Sequence, residues 1–392
     1  MANASTDVQA GKSAAGAKRP VDKHATGAKA VVSAANAFLN TLDADQQSEV
    51  LLDLTEANAT AWSNLPCGSS CRPGIRLGSL TDTQLAAAMN VLKVSTGTGK
   101  GTGYDQITQI LKADDVLDAA QNSSSASAPA PTSSESSTPS TDPSASADPS
   151  TSATDAPTGT PPSGGPGGPG GGAFGYGSGD YFMAFLGTPS ADGTWQLHFG
   201  GHHLAVNLTY RDGKPAGASP FFIGVEPTTW TADDGTTYTP MANQRNGLVA
   251  LTGSLNTEQL AKAKLAASFS DVLLGPGKDG QFPETKEGIP VSSLTPKQKQ
   301  LVLKAIHPWV ANVDDATAKQ LMKTYEHELN QTYVGYSGGT GLDSQGDYVR
   351  IDGPGVWIEF VCQGGVVFRD QIHYHTVYRD HTRDYGSEFT FS

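Results

Sequence analysis

The feature that most constrains this chain is a stretch from Asn122 to about Gly179. It is dominated by Ser, Thr, Pro, Ala and Gly and closes on Pro-Pro-Ser-Gly-Gly-Pro-Gly-Gly-Pro-Gly-Gly-Gly. Such a composition cannot bury enough apolar surface to form a core. Its few charges are acidic, no Lys or Arg occurs between Lys112 and Arg211, and it reads as a flexible spacer suited to O-glycosylation. Whatever folds must therefore be assembled from the flanks. The expected organisation is a disordered leader over 1–27, a helical part over 28–120, the insertion over 121–179, and an α+β part over 180–392.

The first flank has helical spacing in Val31, Val32, Ala35, Phe38, Leu39 and Leu42, then from Gln46 to Leu54, with Trp62 as an anchor expected to pack helices together. Thr81-Asp-Thr-Gln, preceded by Leu80 and followed by Leu85, Ala88, Met89 and Leu92, predicts a capped amphipathic helix. A further helix is expected over Asp105–Ala119. In the second flank, Tyr181–Leu186 and Gly193–Tyr210 alternate as strands, and Arg-Asp-Gly-Lys at 211–214 supplies a hairpin turn before a strand over Ala218–Val225. Helical spacing returns over 256–274, over 295–306 behind the Thr295-Pro296 start, and over 316–329. Strands are expected over Tyr348–Asp352, Val356–Cys362 and Gln371–Tyr378. Together these predict an α+β class with a mainly antiparallel sheet.

With 39 acidic and 26 basic side chains the formal charge is −13, which repels phosphate backbones and excludes nucleic acid as an expected partner. No run approaches the roughly 20 apolar residues of a membrane span. Only 17% of residues are charged, and Gly, Ser, Thr and Ala abound, a balance that predicts an exported protein, extracellular or in the cell envelope. Residues 1–30 carry no apolar core behind Lys12, Lys18, Arg19 and Lys23, so on that reading a signal peptide was removed ahead of this numbering. Cys67 and Cys71 lie in a Gly/Ser turn between prolines. Their spacing predicts a small disulfide rather than half of a metal site, because no second Cys/His pair stands nearby. Cys362 reads as a buried strand thiol.

The chemistry gathers on histidine. In a strand alternate side chains share a face, so His373 and His375 project together with Val377 and Arg379, the two imidazoles about 7 Å apart along the chain. A second pair, His202-His203, follows Gly200-Gly201. Were both in a strand they would point apart, leaving His203, with Ala205, Asn207 and Thr209, to join the site, unless a kink at the glycines favours His202. Glu359, a carboxylate in the apolar Val356–Val361 run, is a candidate ligand, second-layer acceptor or general base, or else the partner of Arg379 or Arg350 in an ion pair. Arg379, on the histidine face, is the other candidate for the chemistry. There is no Gly-x-Ser-x-Gly elbow, Walker loop or His-Glu-x-x-His helix.

Gly201-His-His-Leu-Ala-Val-Asn207, Ile358-Glu-Phe360, Ile372-His-Tyr-His-Thr-Val-Tyr-Arg-Asp380 and Asp384-Tyr-Gly386 resemble the bacterial domain-of-unknown-function family numbered 3500. Phe38-Leu39, Trp62, Gly74-Ile-Arg-Leu and Gly103-Tyr104 match that family's opening in order. The resemblance implies one domain from about residue 30 to the end, interrupted by the low-complexity stretch, with flanks that dock on one another. It supports the choice of residues and assigns no activity.

Three imidazoles and a carboxylate suit a divalent transition metal, with zinc the default. The expectation is an exported metal-dependent enzyme, a hydrolase through metal-bound water or an oxidoreductase if the ion is copper or iron, with His203, His373, His375 and His202 as ligands. The alternatives are a metal- or small-ligand-binding protein without turnover and a metal-free His/Glu acid–base enzyme. Substrate, whether small molecule or polymer, and oligomeric state stay open.

Overall fold

The structure, a computed structural model, describes residues 18–126 and 175–391. Most of the predicted leader and most of the low-complexity stretch lie outside the described residues. Residues 18–27, assigned above to the leader, are tied to the first helix: the Asp22 amide donates to Ser33 Oγ at 2.8 Å, and Asn36 Nδ2 donates to the Pro20 carbonyl at 2.9 Å.

The first flank folds as α1 (Ala28–Leu39), α2 (Ala44–Val50), β1 (Leu51–Leu52), α3 (Glu56–Ala59), β2 (Ile75–Arg76), α4 (Asp82–Ser95) and α5 (Gly103–Ala126). After the stretch come β3 (Phe182–Leu186), β4 (Thr194–Gly201), β5 (Leu204–Arg211), β6 (Lys214–Gly217), β7 (Phe221–Val225) and a small ladder of β8 (Trp230–Thr231) and β9 (Thr237–Tyr238). The chain then forms α6 (Ala242–Thr252), α7 (Thr257–Ala263), β10 (Ile289–Pro290), α8 (Pro296–Val310) and α9 (Asp315–Glu328). It ends with β11 (Tyr333–Ser337), β12 (Tyr348–Asp352), β13 (Val356–Gly364) and β14 (Ile372–Asp380). This is the α+β class with a mostly antiparallel sheet.

Among the described residues twelve strands make one sheet, whose path runs β1-β3-β4-β5-β7-β14-β13-β12-β11-β10, with β2 on β3 and β6 on β5. The first flank, expected to be helical, thus supplies two strands as well, and Leu51 and Leu52 pair in parallel with Phe185 and Leu186. Helices cover one sheet face. Phe38, Leu92, Ile110, Leu248, Ile306 and Trp309 share one core with Phe185, Leu197, Val206, Ile223, Ile358 and Phe360. The other face is covered by irregular loops, among them the segment around Trp62 and residues 264–287.

The sheet order reads the same from either end because the second half of the chain repeats the path of the first. Gly74-Ile-Arg-Leu-Gly-Ser-Leu-Thr81 and Gly288-Ile-Pro-Val-Ser-Ser-Leu-Thr295 are counterparts. Both lead through a short strand and a 3-10 turn into a helix with a capping box, closed by Gln84 in α4 and Gln298 in α8. Gln84 Nε2 reaches Thr41 O and Gln46 Oε1; Gln298 Nε2 reaches Ser254 O and Gln259 Oε1. The strands β7 and β14 meet antiparallel in the middle.

Three expectations change. The helix expected over 256–274 stops at Ala263, although Lys-Leu-Ala-Ala should extend it. Beyond it Lys264 bridges to Tyr336, and the amides of Leu273 and Leu274 are captured by Glu359, so tertiary bonds override propensity. Trp62 does not pack between helices: it lies on the loop-covered face against Phe222 and donates from Nε1 to Tyr385 Oη at 2.9 Å. His202 and His203 form the turn between β4 and β5, where Gly201 pairs with Leu204, so strand alternation does not separate them.

Gly74 and Gly288 sit at φ 106° and 100°, and a Cβ there would lie 2.4 Å from Met183 O and 2.3 Å from Val334 O. Gly74→Ala and Gly288→Ala should each cost roughly 2–4 kcal/mol in denaturant unfolding, from backbone strain plus a clash with backbone. Gly235→Ala, at φ 82° with open space around it, should cost only about 1 kcal/mol. Equal losses at all three positions would contradict this packing.

Candidate metal centre

The β4–β5 turn is held by Tyr181, whose hydroxyl donates to the His202 carbonyl and whose ring occupies the space a Cβ on Gly201 would need. His203 adopts φ 65°, a left-handed conformation that costs a non-glycine residue about 1–2 kcal/mol. Its carbonyl accepts from the Gly224 amide at 2.7 Å. Gly224 lies opposite His375 across the central strand pair, and a Cβ there would stand 2.5 Å from His203 Cδ2 and 2.9 Å from His375 Cδ2. The absence of a side chain at this position is what lets the turn histidine reach the strand histidines.

His373 and His375 share a face of β14, as alternation requires, and their Nε2 atoms are 2.7 Å apart. Their far nitrogens are committed. His373 Nδ1 lies 3.2 Å from the Gly364 carbonyl and His375 Nδ1 lies 2.9 Å from Asp271 Oδ1. A carbonyl and a carboxylate only accept, so both rings carry a proton on Nδ1, and as neutral imidazoles they turn bare Nε2 lone pairs toward one another. Two lone pairs at that distance repel unless a shared proton or a metal ion lies between them. His203, His373 and His375 form one group whose ligand atoms all lie within 4.8 Å of one another, and Asp114, His202 and His203 form a second.

All of these side chains are buried; His203 is 2% exposed and Asp114 1%. Burial, reinforced by the neighbouring His202, His373 and His375, holds the His203 imidazole well below its usual pKa, and burial with His375 beside it lowers His373 to about 3. Neutral imidazoles are what a metal ion requires. Asp114 is pushed up by its own burial, opposed chiefly by His202. Asp271 titrates low: its burial acts upward but is outweighed by the hydrogen bonds it accepts from His375 and from the Val272 amide.

The structure brings His202, His203, His373 and His375 together and puts Glu359 and Arg379 to other use. Glu359, fully buried, accepts from Leu273 N at 2.5 Å, Leu274 N at 2.9 Å, Trp357 Nε1 at 2.8 Å and Tyr348 Oη at 2.8 Å. Arg379 donates to the carbonyls of Leu274 and Gly275 and to Asp279 and Asp384. Neither ion pair considered for Glu359, with Arg379 or Arg350, forms; Arg350 pairs with Glu287. The two side chains clamp the segment 271–279, which carries Asp271 to His375: Glu359 holds it at 273–274 and Arg379 at 274–275 and 279.

Sequence reasoning missed Asp114, Asp271, Asn64, whose Nδ2 is 3.5 Å from His375 Nδ1, and Glu226. Glu226 binds the amides of Val366, Val367 and Phe368 and comes within 3.9 Å of His373 Nδ1. Asp114 did leave a signal. It falls within the buried stripe of Ile107, Ile110, Leu111 and Leu117, where a lone carboxylate is costly. Asp271 left none. The largest cavity described, about 820 Å³ and lined by Lys100, His307, Asp315 and Lys319, contains no residue of the cluster.

Glu359→Gln turns an NH2 toward groups that already donate. It should lower stability by roughly 2–4 kcal/mol and speed amide exchange at Leu273 and Leu274. Unchanged exchange at those amides would contradict the clamp.

No curated protein and no solved structure matches the chain. A family model described as "Protein of unknown function (DUF3500)" matches residues 24–387, on both sides of the low-complexity stretch. The chain therefore belongs to the DUF3500 family of proteins of unknown function.

Proposed function

We propose that this protein is a metal-dependent enzyme with a divalent transition metal, zinc by default, held by His203, His373 and His375. One observation carries the reading: two Nε2 atoms 2.7 Å apart whose nearest Nδ1 partners, at 3.2 and 2.9 Å, are both pure acceptors. Backing a ligand imidazole with a carboxylate or carbonyl fixes its tautomer and raises its basicity. With both rings neutral the same arrangement weighs against metal-free acid–base catalysis, because neutral rings leave no proton donor where they meet. Three protein ligands leave a coordination position for water, the pattern of catalytic rather than closed structural zinc sites, and water on such an ion ionises near neutral pH. That supports hydrolysis. Glu359, its oxygens filled by four donors, is a poor candidate for the base, whereas the Asp271 side chain is 45% exposed beside His375.

Export fits the same picture. The Cys67–Cys71 disulfide closes the loop next to Asn64, and structural disulfides belong to oxidising compartments. A second reading, metal binding without turnover, is favoured by the near-complete burial of the ligands and by cavities that open elsewhere.

Protein prepared without a histidine tag should carry near-stoichiometric metal by mass spectrometry. His373→Ala/His375→Ala should lose it while keeping its circular dichroism. His203→Gly, which removes the ligand and relieves the positive φ, should lose metal yet melt no lower than the metal-free wild type. Wild-type protein that binds no metal after reconstitution contradicts the proposal; metal without any hydrolytic turnover leaves the binding reading.

A further inference from the structure

Five metal-binding side chains meet at this end of the sheet, more than the proposed site uses. They divide into two trios that share His203: one with His373 and His375, the other with Asp114 and His202, each with its ligand atoms within 4.8 Å of one another. Donors on one zinc-like ion, bonded at about 2.1 Å, can be no more than about 4.2 Å apart.

The second trio is built as closely as the first. Asp114 enters from α5, the helix layer, and its Oδ1 lies 2.8 Å from His202 Nδ1 and 3.7 Å from His203 Nδ1. A simple carboxylate–histidine hydrogen bond would account for the shorter contact. It does not account for what is left over: Asp114 Oδ2 and His203 Nδ1 are both buried without a partner of their own, since the one hydroxyl near Asp114, that of Tyr181, gives its proton to the His202 carbonyl. A buried, unpaired carboxylate oxygen is costly, and native structures rarely keep one without an ion or water. The His202 and His203 rings lie against each other with centroids 3.6 Å apart. The Tyr176 ring packs on the outer side of His202 at 4.7 Å.

We infer that the cluster is a two-metal centre, with a second divalent transition-metal position formed by Asp114 and His202 beside His203. This rests on the proposed metal site and extends it. In two-metal hydrolytic centres a pair of neighbouring ions stabilises both the attacking and the leaving oxygen, which suits phosphate or carboxylate esters and amides as substrates.

The test is titration of the metal-free full chain with Co2+ alone, counting bound ions by mass spectrometry and following their magnetic coupling by electron paramagnetic resonance. Wild type should take two equivalents with a coupled signal. Asp114→Asn/His202→Phe should take one, uncoupled, with the second affinity weakened at least about tenfold, while His375→Ala weakens the other position. Melting curves identify any variant that fails to fold. Because wild type is counted first, the outcome does not depend on the variants: one equivalent in wild type overturns the second position and leaves the first, and no cobalt at all overturns the underlying metal reading. Two equivalents that persist in Asp114→Asn/His202→Phe would also overturn the assignment.

Discussion

The site depends on the contact between His373 Nε2 and His375 Nε2, 2.7 Å apart with their lone pairs turned inward. Strand geometry alone puts two imidazoles on one face; it does not turn their bare nitrogens toward each other. The Gly364 carbonyl and Asp271 do that, each by fixing a proton on Nδ1. Asp271 stands where it does because Glu359 holds the amides two and three residues further on, and Arg379 holds the carbonyls of Leu274 and Gly275. Two charged side chains buried in the sheet thus serve the site from a distance, through one loop. Their burial is offset by bonds to backbone, by Trp357 and Tyr348 for Glu359 and by Asp279 and Asp384 for Arg379, rather than by one another, so removing either strands several groups at once.

The repeated path explains where the site lies. Pairing of Gly200 with Ala205 in the first half corresponds to pairing of Asp352 with Trp357 in the second, so the His202-His203 turn stands where the second half has Pro354-Gly355. There the Gly355 amide is bound by Glu328 from α9, and the turn itself carries no histidine; the one imidazole beside it, His381, is taken up by Asp352 at 3.1 Å. The histidines of β14 and the turn of the first half meet only because β7 and β14 are neighbours in the middle of the sheet. One half therefore supplies the turn and Asp114 and the other supplies His373, His375 and Asp271, so neither holds the centre alone.

Much of this was legible in the residues. Period-two alternation located β14 and its two histidines, and glycines before His202 marked a place where backbone approaches closely. The strand alternation expected for His202 and His203 gave way to a hairpin turn, although His203, the one expected beside His373 and His375, does lie with them. Asp114 was readable as a carboxylate on an apolar stripe. Asp271 was not, since its segment looks helical and is pulled into a loop by Glu359 and Arg379, 85 or more residues further along the chain. The repeat was also present, in the likeness of residues 74–81 to 288–295, but the low-complexity stretch lengthens one copy and disguises its period.

The most direct test of the account is anomalous diffraction at the metal absorption edge from crystals of the reconstituted full chain. A peak within about 2.1 Å of both His373 Nε2 and His375 Nε2 is the predicted result. No peak there, with the two rings bonded only to each other, would contradict it.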